Sequence, residues 1–347
     1  MRSSLIPILI DYLRDRSMKV KMNGVESKPK RLIGGSPQGT ILGQLFYIGA
    51  SDDAAEEIPE EDKLKYIDDL EIIELISIAG MLVDYDFYEH VASDVGVGQK
   101  FLPTNTFEMQ NTVNNLAEWT ETNKMKLNED KTNYMIFTRS KADFATRLTL
   151  NGCKLDQVKV TKLLGVWISE DLSWDKNCKE ISKKAYSRIS MLSKLKYAGM
   201  KVDDLINIFI LHIRSLTEYC SAAFHSSLTF EQNRKLESIQ KTALRVIMGQ
   251  NYVSYEEALE TTGLVTLNAR RDERCLKFGL KAVKNKQSSN MFPVKDVEGR
   301  KTLRDREVFH VNFAHTEAYK QSAIPTIQRM LNTHMETLNN AANDDLS

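Results

Sequence analysis

The sequence has no long hydrophobic run, few cysteines and no net charge, and each absence excludes a class of protein. The longest apolar run near the N-terminus covers residues 5–10, contains Pro7 and is followed by Asp11, so it is too short for a membrane span or a secretory signal. The four cysteines form no CxxC pair, which argues against a disulfide framework or zinc knuckle and favours a reducing compartment. We therefore expect an intracellular protein, in the cytoplasm or the nucleus, with no targeting signal and no membrane partner.

The zero net charge hides a strong segregation of charge along the chain. Residues 1–49 carry 8 Lys and Arg against 3 Asp and Glu, residues 50–130 carry 5 against 20, and residues 175–286 carry 20 against 12. Electrostatic steering depends on local charge, so a neutral total leaves a nucleic-acid partner open. It also weakens that case, because most dedicated nucleic-acid-binding proteins are basic overall.

Length and apolar periodicity predict two or three domains. The 347 residues are 42% hydrophobic and 27% charged, which is ordinary for a globular protein. Mixed α and β patterns extend to about residue 174, and helical patterns follow. We predict an α+β domain at 1–174, an all-helical domain at 175–286 and a weakly ordered C-terminal tail at 287–347.

Local signals predict particular elements inside these domains. Asn23-Gly24 and Asn151-Gly152 each lie between short alternating segments, which is typical of β-hairpins. A helix is expected over 111–124, and another from 175 to a C-terminal stop at Gly199. Residues 202–224 are apolar nearly all round and predict a central buried helix.

An adjacent pair of carboxylates, Asp68 and Asp69, lies between two β-prone runs in KLKYIDDLEII. At the tip of a hairpin their mutual repulsion is relieved by Mg²⁺, and two-metal nucleotidyl transfer uses such oxygens to hold a pair of ions. A solvated acidic turn is the simpler interpretation of a lone pair of aspartates. The choice depends on the other motifs of the chain.

Two further stretches carry possible chemistry. GGSPQGTILG, residues 34–43, has Gly34, Gly35, Gly39 and Pro37 before a predicted helix, so it either presents backbone amides to a nucleotide or is a plain structural turn. Lys131 lies just before an apolar strand, where it is either a surface lysine or a proton donor or phosphate contact.

These motifs together, in this order and spacing, resemble the second half of the palm of a reverse transcriptase from a non-LTR retrotransposon. The palm motifs are SPQG with TILG (36–43), YIDD (66–69), LNEDKTNYMIF (127–137) and LGVWISEDLSW (164–174). HIRSLTEYCSAAFHSSL, LESIQKTALRVIM and SYEEALETTGL resemble the thumb and connecting region of such elements. The resemblance covers about residues 1–285, and it implies a partial antiparallel palm sheet with helices, followed by a helical thumb-like domain.

The resemblance implies a role for each matching position. Asp68 and Asp69 would bind two Mg²⁺ ions, and Lys131 would approach the pyrophosphate leaving group. The residues that would line the template, the incoming deoxynucleoside triphosphate and the primer end are Ser36, Pro37, Gln38, Gly39 and Tyr66. The segment that would support the primer strand, as a primer grip, is Leu164, Gly165, Val166 and Trp167. The implied partners are an RNA template and a DNA primer.

One departure from the family pattern bears on activity. The family has a further metal-binding aspartate on a strand well upstream of SPQG, whereas here Asp11 and Asp15 are the only carboxylates before Glu26, in a helical pattern. YIDD also replaces the usual FADD. We therefore expect an N-terminally truncated domain without fingers, inactive as an isolated chain, because two ligands without the third position metal poorly.

Spacing alone reveals a basic stripe in residues 267–284. Arg270, Arg274, Lys277, Lys281 and Lys284 recur at steps of 4, 3, 4 and 3, with an apolar face roughly 120° away at 100° per residue. The stripe fits a helix along a phosphate backbone. A solvated basic face on an amphipathic helix is the simpler interpretation.

Three functions remain open from the sequence. The first is a reverse-transcriptase fragment, and the second is a non-catalytic nucleic-acid-binding remnant of a retroelement whose palm is only scaffold. The third is a pseudogene product with no stable fold, since half a palm leaves a sheet edge exposed.

Overall fold

The computed structural model describes residues 10, 14–32, 54, 58, 63–66, 69–73, 100–101, 106–137, 143–144, 147–285, 288–295, 308–311, 313–314 and 316–344. The chain divides into two compact units. The first comprises Met1–Tyr134 with Ser140–Gln157, and the second Met135–Arg139 with Val158–Ser347. The structure is a mixture of helices and small sheets, as an α+β protein has. The division and the predicted boundary at residue 174 differ in where they place residues 135–139 and 158–174.

The described strands of the first unit are short and pair in twos. They are β1 (Ser17–Met18), β2 (Lys21–Met22), β3 (Val25–Glu26), β4 (Lys30–Arg31), β5 (Lys63–Tyr66), β6 (Asp69–Ile72), β7 (Lys100–Phe101), β8 (Asn133–Tyr134), β9 (Asp143–Phe144), β10 (Thr149–Leu150), β11 (Cys153–Lys154) and β12 (Asp156–Gln157). The antiparallel pairs are β1–β4, β2–β3, β5–β6 and β10–β11, and the parallel pairs are β7–β9 and β8–β12.

Two predicted hairpin turns are confirmed. Asn23 and Gly24 join β2 to β3 with φ of 50° and 82°, and Asn151 and Gly152 join β10 to β11 with φ of 51° and 78°. Positive φ at both central residues is the signature of the type I′ turn, whose twist matches that of the flanking strands. Asn and Gly tolerate this conformation, so the local sequence suffices to specify both turns.

Helix α1, Thr106–Thr122, packs against the β10–β11 hairpin. Leu148, Leu150 and Leu155 are buried there beneath apolar residues of the helix. The Gln110 side chain accepts a hydrogen bond from the Thr149 amide at 2.9 Å and donates one to the Thr149 carbonyl oxygen at 2.8 Å. The glutamine thus continues the hairpin's backbone hydrogen bonding onto the helix. The predicted helix over 111–124 is confirmed, with an earlier start.

The second unit combines one hairpin with helices. The hairpin is β13 (Val160–Leu163) with β14 (Val166–Ser169). The α-helices are α2 (Asp175–Tyr197), α3 (Val202–Ile208), α4 (Ser215–Glu218), α5 (Ser221–Phe224), α6 (Phe230–Met248), α7 (Tyr255–Thr262), α8 (Leu267–Lys284), α9 (Glu317–Lys320) and α10 (Ala323–Asp344). Shorter turns are the π-helix Phe209–Arg214 and the 3₁₀ helices His225–Ser227, Gly249–Asn251 and Ser289–Met291.

The main core of the second unit lies where α2 and α6 pack together. Leu192, Leu205, Phe209, Leu236 and Leu244 are fully buried in it. The predicted end of α2 is confirmed, since Gly199 follows it with φ of 86°.

Two helices of this core are capped at their N-termini by polar side chains. Helix α6 begins with a reciprocal capping box between Thr229 and Gln232, which satisfies two backbone donors that the helix itself leaves unpaired. Helix α7 begins at Ser254, whose hydroxyl accepts a hydrogen bond from the Glu257 amide. It ends at Gly263, which has φ of 65°.

The predicted continuous helix over 202–224 is interrupted. It consists of α3, the π-helix, α4 and α5, with a break at Cys220, whose φ is 51°. Apolar periodicity could not reveal these breaks, because one extra residue in a π-turn shifts the face without changing composition. Phe209 and Ile213 remain fully buried.

The C-terminal segment differs from the expected weakly ordered tail. Helix α10 packs against α8, where Ile327 and Leu331 are buried with Cys275 and Phe292 in a second hydrophobic cluster. A Cβ atom placed on Gly279 of α8 would lie 2.5 Å from Cγ2 of Ile327. The absence of a side chain at Gly279 therefore allows the two helices to approach closely.

Candidate functional site

The two β-prone runs beside the acidic pair form antiparallel strands, as predicted. Strand β5 pairs with β6 in the register Lys63↔Ile72 to Tyr66↔Asp69. Asp69 therefore begins β6 opposite the end of β5. Ile67 and Asp68 lie outside the described residues. Among the residues that the structure describes, no three His, Cys, Asp or Glu side chains are grouped to hold a metal ion.

The structure describes some of the other palm-motif residues but not all of them. Ser36, Pro37, Gln38 and Gly39 lie outside the described residues. Lys131 is exposed in a turn of the same unit as β5–β6, and its backbone amide donates to the Asn128 carbonyl oxygen at 3.1 Å. In the described part of the chain, the Lys131 side chain makes no hydrogen bond or ion pair.

The segment Leu164–Trp167 forms the tip and the start of the second strand of the β13–β14 hairpin. Leu164 and Gly165 have φ of 44° and 93°, so they too form a type I′ turn. Leucine is unusual at positive φ. A hydrogen bond from outside the hairpin stabilises this conformation, because the Tyr219 hydroxyl donates to the Leu164 carbonyl oxygen at 2.7 Å.

A second contact docks the hairpin on α2. The Trp167 amide donates to Oδ1 of Asn177 at 3.3 Å, and the Lys176 ammonium lies 4.9 Å from the centre of the Trp167 ring. Asn177 of α2 and Tyr219, the residue after α4, thus hold the segment, and sequence reasoning missed both. Their separation from it in sequence, 10 and 55 residues, leaves no local signal.

Replacing Gly165 with alanine is expected to destabilise the second unit by about 1–3 kcal/mol, because the new side chain would have positive φ and lie 3.3 Å from the Tyr219 ring. Gly199→Ala is the matched control, since Gly199 has φ of 86° and a Cβ atom there would have no heavy atom within 4 Å. Both variants carry the backbone penalty, so the difference in their denaturant unfolding measures the contact with Tyr219. Equal losses of stability in the two variants would show that the contact with Tyr219 adds no cost to the backbone penalty.

In the basic stripe of α8, three side chains pair with carboxylates of this chain, and two make no ion pair with a residue that the structure describes. Arg270 and Arg274 both donate to the carboxylate of Glu218, at 3.1 Å and 2.7 Å. The Lys277 ammonium pairs with Glu273 at 2.5 Å. Lys281 and Lys284 are exposed and make no ion pair with any residue that the structure describes. Only the last two are thus available in full to an external phosphate.

Glu218 is the centre of a buried charge cluster. Its side chain is 4% exposed, and Nε of Arg214 lies 3.2 Å from Oε1. Burial, the largest effect, disfavours the carboxylate, but the hydrogen bonds from Arg270 and Arg274 and the charges of Arg270 and Arg214 outweigh it, so the pKa of Glu218 is lowered. Burial and its cationic neighbours lower the pKa of Arg214. Glu218 therefore stays ionised and holds three cations together.

Arg271, the residue after Arg270, points inward. Arg271 is fully buried, with Nε donating to Nδ1 of His225 and an Nη donating to Asn233, each at 3.1 Å. Because Nδ1 accepts this bond, His225 carries its proton on Nε2, which donates to Asp272 at 3.0 Å. The network ties α8 to α6 and to the turn after α5.

No helix in the described part of the chain is both long enough and apolar enough to cross a bilayer.

Two curated proteins are similar to this chain. It is 25% identical over 194 residues to the probable RNA-directed DNA polymerase from transposon BS of Drosophila melanogaster, covering 53% of this chain and 19% of that protein. It is 22% identical over 195 residues to the RNA-directed DNA polymerase from mobile element jockey of the same species, covering 54% and 19%. The chain thus spans about a fifth of each relative's length. No family model and no solved structure matches it.

Proposed function

We propose that this chain is part of the RNA-directed DNA polymerase of a mobile element and acts on an RNA template paired with a DNA primer. The observation that carries the proposal is the similarity to two reverse transcriptases of mobile elements. The order of SPQG, YIDD, LNEDKT and LGVW along the chain supports it. The reaction would be addition of deoxynucleotides to a primer 3′ end by two-metal nucleotidyl transfer.

In this proposal Asp68 and Asp69 hold Mg²⁺ at the β5–β6 hairpin. Carboxylate oxygens suit Mg²⁺, and a bound cation offsets the repulsion between adjacent aspartates. Bound Mg²⁺ would activate the primer hydroxyl and stabilise the leaving oxygen. Lys131 would contact the pyrophosphate. The hairpin carrying Leu164–Trp167 would support the primer, held in place by Asn177 and Tyr219.

A cleavage experiment tests the metal site without requiring polymerase activity. The purified chain is loaded with Fe²⁺ in place of Mg²⁺ and treated with ascorbate and peroxide, which cut the backbone next to bound iron. We expect a cut close to Asp68 and Asp69 that excess Mg²⁺ suppresses and that Asp68→Asn with Asp69→Asn removes.

The chain offers a matched control in a second pair of adjacent aspartates. Asp203 and Asp204 are exposed at the start of α3, so Asp203→Asn with Asp204→Asn should leave the cut intact. Equal cutting at both pairs, or none at Asp68 and Asp69, would refute the metal site.

Binding and extension of a primer–template complete the test. We expect the chain to bind an RNA–DNA primer–template in a salt-dependent way and not to extend it, because the sequence offers no third aspartate in the family's pattern. Failure to bind at low salt would overturn the proposal as a whole. Extension that Asp68→Ala abolishes would overturn only the expected inactivity.

A non-catalytic nucleic-acid-binding protein is the second candidate. The local charge favours it, since residues 175–286 carry 20 basic against 12 acidic residues. Lys281 and Lys284 are better probes of this surface than Arg274, whose loss would also disturb Glu218. Binding that Lys281→Glu with Lys284→Glu weakens, together with no iron-dependent cut, would favour this candidate.

A further inference from the structure

The charge cluster around Glu218 contains one arginine whose hydrogen-bond donors are unused. Glu218 accepts two hydrogen bonds from Arg270, at 3.1 Å and 3.4 Å, and two from Arg274, at 3.0 Å and 2.7 Å. An ionised carboxylate offers about four acceptor sites, so these two arginines fill it. Arg214 has its Nε 3.2 Å from Oε1, but its guanidinium makes no hydrogen bond with any residue that the structure describes. Arg214 therefore adds charge to the cluster and keeps its donors for another acceptor.

The Arg214 guanidinium is largely buried but remains accessible. Its side chain is 17% exposed, and its Nη atoms, unlike the unpaired Nη1 of Arg271, are not screened from solvent. Nη1 of Arg274 also makes no hydrogen bond with a described residue, and that side chain is half exposed. Both guanidinium groups touch the same carboxylate, so they are neighbours. An acceptor from outside the chain can therefore reach unused donors of both arginines.

The cluster has two more cations than carboxylates. Four positive charges meet two negative ones, the cations being Arg214, Arg270, Arg274 and Lys277 and the anions Glu218 and Glu273. Burial, together with the charges of Arg270 and Arg274, lowers the pKa of Arg214 although Glu218 lies beside it. The positive charge is thus incompletely offset by the described residues, and a ligand with two negative charges would balance it.

We propose that Arg214 and Arg274 form a binding site for a dianionic phosphate, either inorganic phosphate or the phosphate monoester of a small molecule. Such a group carries nearly two negative charges at neutral pH and three strong acceptor oxygens, and the planar fork of an arginine binds two of them at once. A phosphodiester or a single carboxylate carries one charge and balances half of the excess. The site goes beyond the proposed function, because it needs no template, primer or metal.

Thermal unfolding of the full chain at pH 7.5 and constant ionic strength measures binding, because a ligand of the folded state raises the melting temperature. We expect inorganic phosphate and ribose 5-phosphate to raise it with half-saturation near about 1 mM, as two or three charge-assisted hydrogen bonds allow. Dimethyl phosphate, a monoanionic diester, should have little effect. The shift caused by ribose 5-phosphate should shrink below about pH 6, where a monoester becomes a monoanion. Whichever of the two dianions binds more tightly identifies the source of the phosphate.

Two variants test the arginines. Arg214→Gln removes the unused donors and leaves the four hydrogen bonds of Glu218 in place, so it should raise the half-saturation concentration roughly 10-fold or more. Arg274→Lys keeps the charge but loses the free Nη1, so it too should weaken binding, and it decides the question if Arg214→Gln does not fold. Unfolding without phosphate checks that each variant is folded.

The matched control is Arg234→Gln, which removes an exposed arginine that pairs with Glu231 on α6. It should leave the phosphate effect unchanged, and an equal loss in Arg214→Gln and Arg234→Gln would overturn the inference. Equal stabilisation by dimethyl phosphate and ribose 5-phosphate would overturn it as well. If Arg214→Gln weakens binding of a 5′-hydroxyl oligonucleotide, which carries only phosphodiesters, as much as binding of ribose 5-phosphate, the arginines bind a nucleic-acid backbone and the inference is wrong.

Discussion

Replacing Glu218 with glutamine is expected to lower the free energy of unfolding by about 3 kcal/mol, because it leaves three arginines without their shared anion. The side chain is 4% exposed, and Arg214, Arg270 and Arg274 all lie within 3.2 Å of its oxygens. Glutamine keeps the shape but removes the charge and turns one acceptor oxygen into an amide donor, so the loss reports on charge and hydrogen bonding rather than on a cavity. Denaturant unfolding followed by circular dichroism measures it.

Glu231→Gln is the control for this variant. Glu231 pairs with Arg234 at 2.8 Å, but both side chains are more than half exposed. An exposed pair of this kind contributes about 1 kcal/mol or less. Similar losses in the two variants would show that the cluster around Glu218 behaves as an ordinary surface pair.

The contribution of Glu218 to stability should also depend on pH. Its pKa is lower in the folded protein than in the unfolded chain, so the carboxylate stabilises the fold above its ordinary pKa of about 4.3. This stabilisation is lost as the pH falls through the lowered folded value. The difference in stability between wild type and Glu218→Gln should therefore be constant near neutral pH and shrink below about pH 4.3. A difference that grows on acidification would contradict the sign of the shift.

The same cluster shows what the sequence could and could not reveal about the candidate interface. Helical spacing correctly predicted that Arg270, Arg274 and Lys277 share one face of a helix. It could not reveal that the two arginines pair with Glu218, which lies 52 and 56 residues earlier in the chain. The step of four from Arg214 to Glu218 was the one local signal of this pairing.

A hairpin could be predicted from the sequence where the turn residues themselves favour the turn conformation. Asn23-Gly24 and Asn151-Gly152 favour positive φ by themselves, so both turns were predictable. Leu164-Gly165 forms the same type of turn, but its leucine is supported by a hydrogen bond from Tyr219, 55 residues later in the chain. The resemblance drew attention to Leu164–Trp167, whereas only the structure shows the residues that hold it. The roles of Asp68, Asp69 and Lys131 remain predictions.

The second large effect is expected in the C-terminal helix, where Leu331→Ala should destabilise the second unit by about 2–5 kcal/mol. Leu331 is fully buried beside Ile327 in the cluster that joins α10 to α8. The low apolar content of residues 287–347 suggested a weakly ordered tail. The amphipathic pattern of α10 instead concentrates its apolar residues on one face, and Gly279 lets that face approach α8 closely.

Leu338→Ala provides a control within the same helix. Leu338 is 51% exposed, so its truncation should change stability by no more than about 0.5 kcal/mol. Hydrogen exchange of the α8 amides adds a local measurement, because loss of packing at Leu331 should speed exchange in α8 as well as in α10. If the two leucine variants are equally stable, α10 does not support α8, and the C-terminal segment contributes no more than the sequence alone suggested.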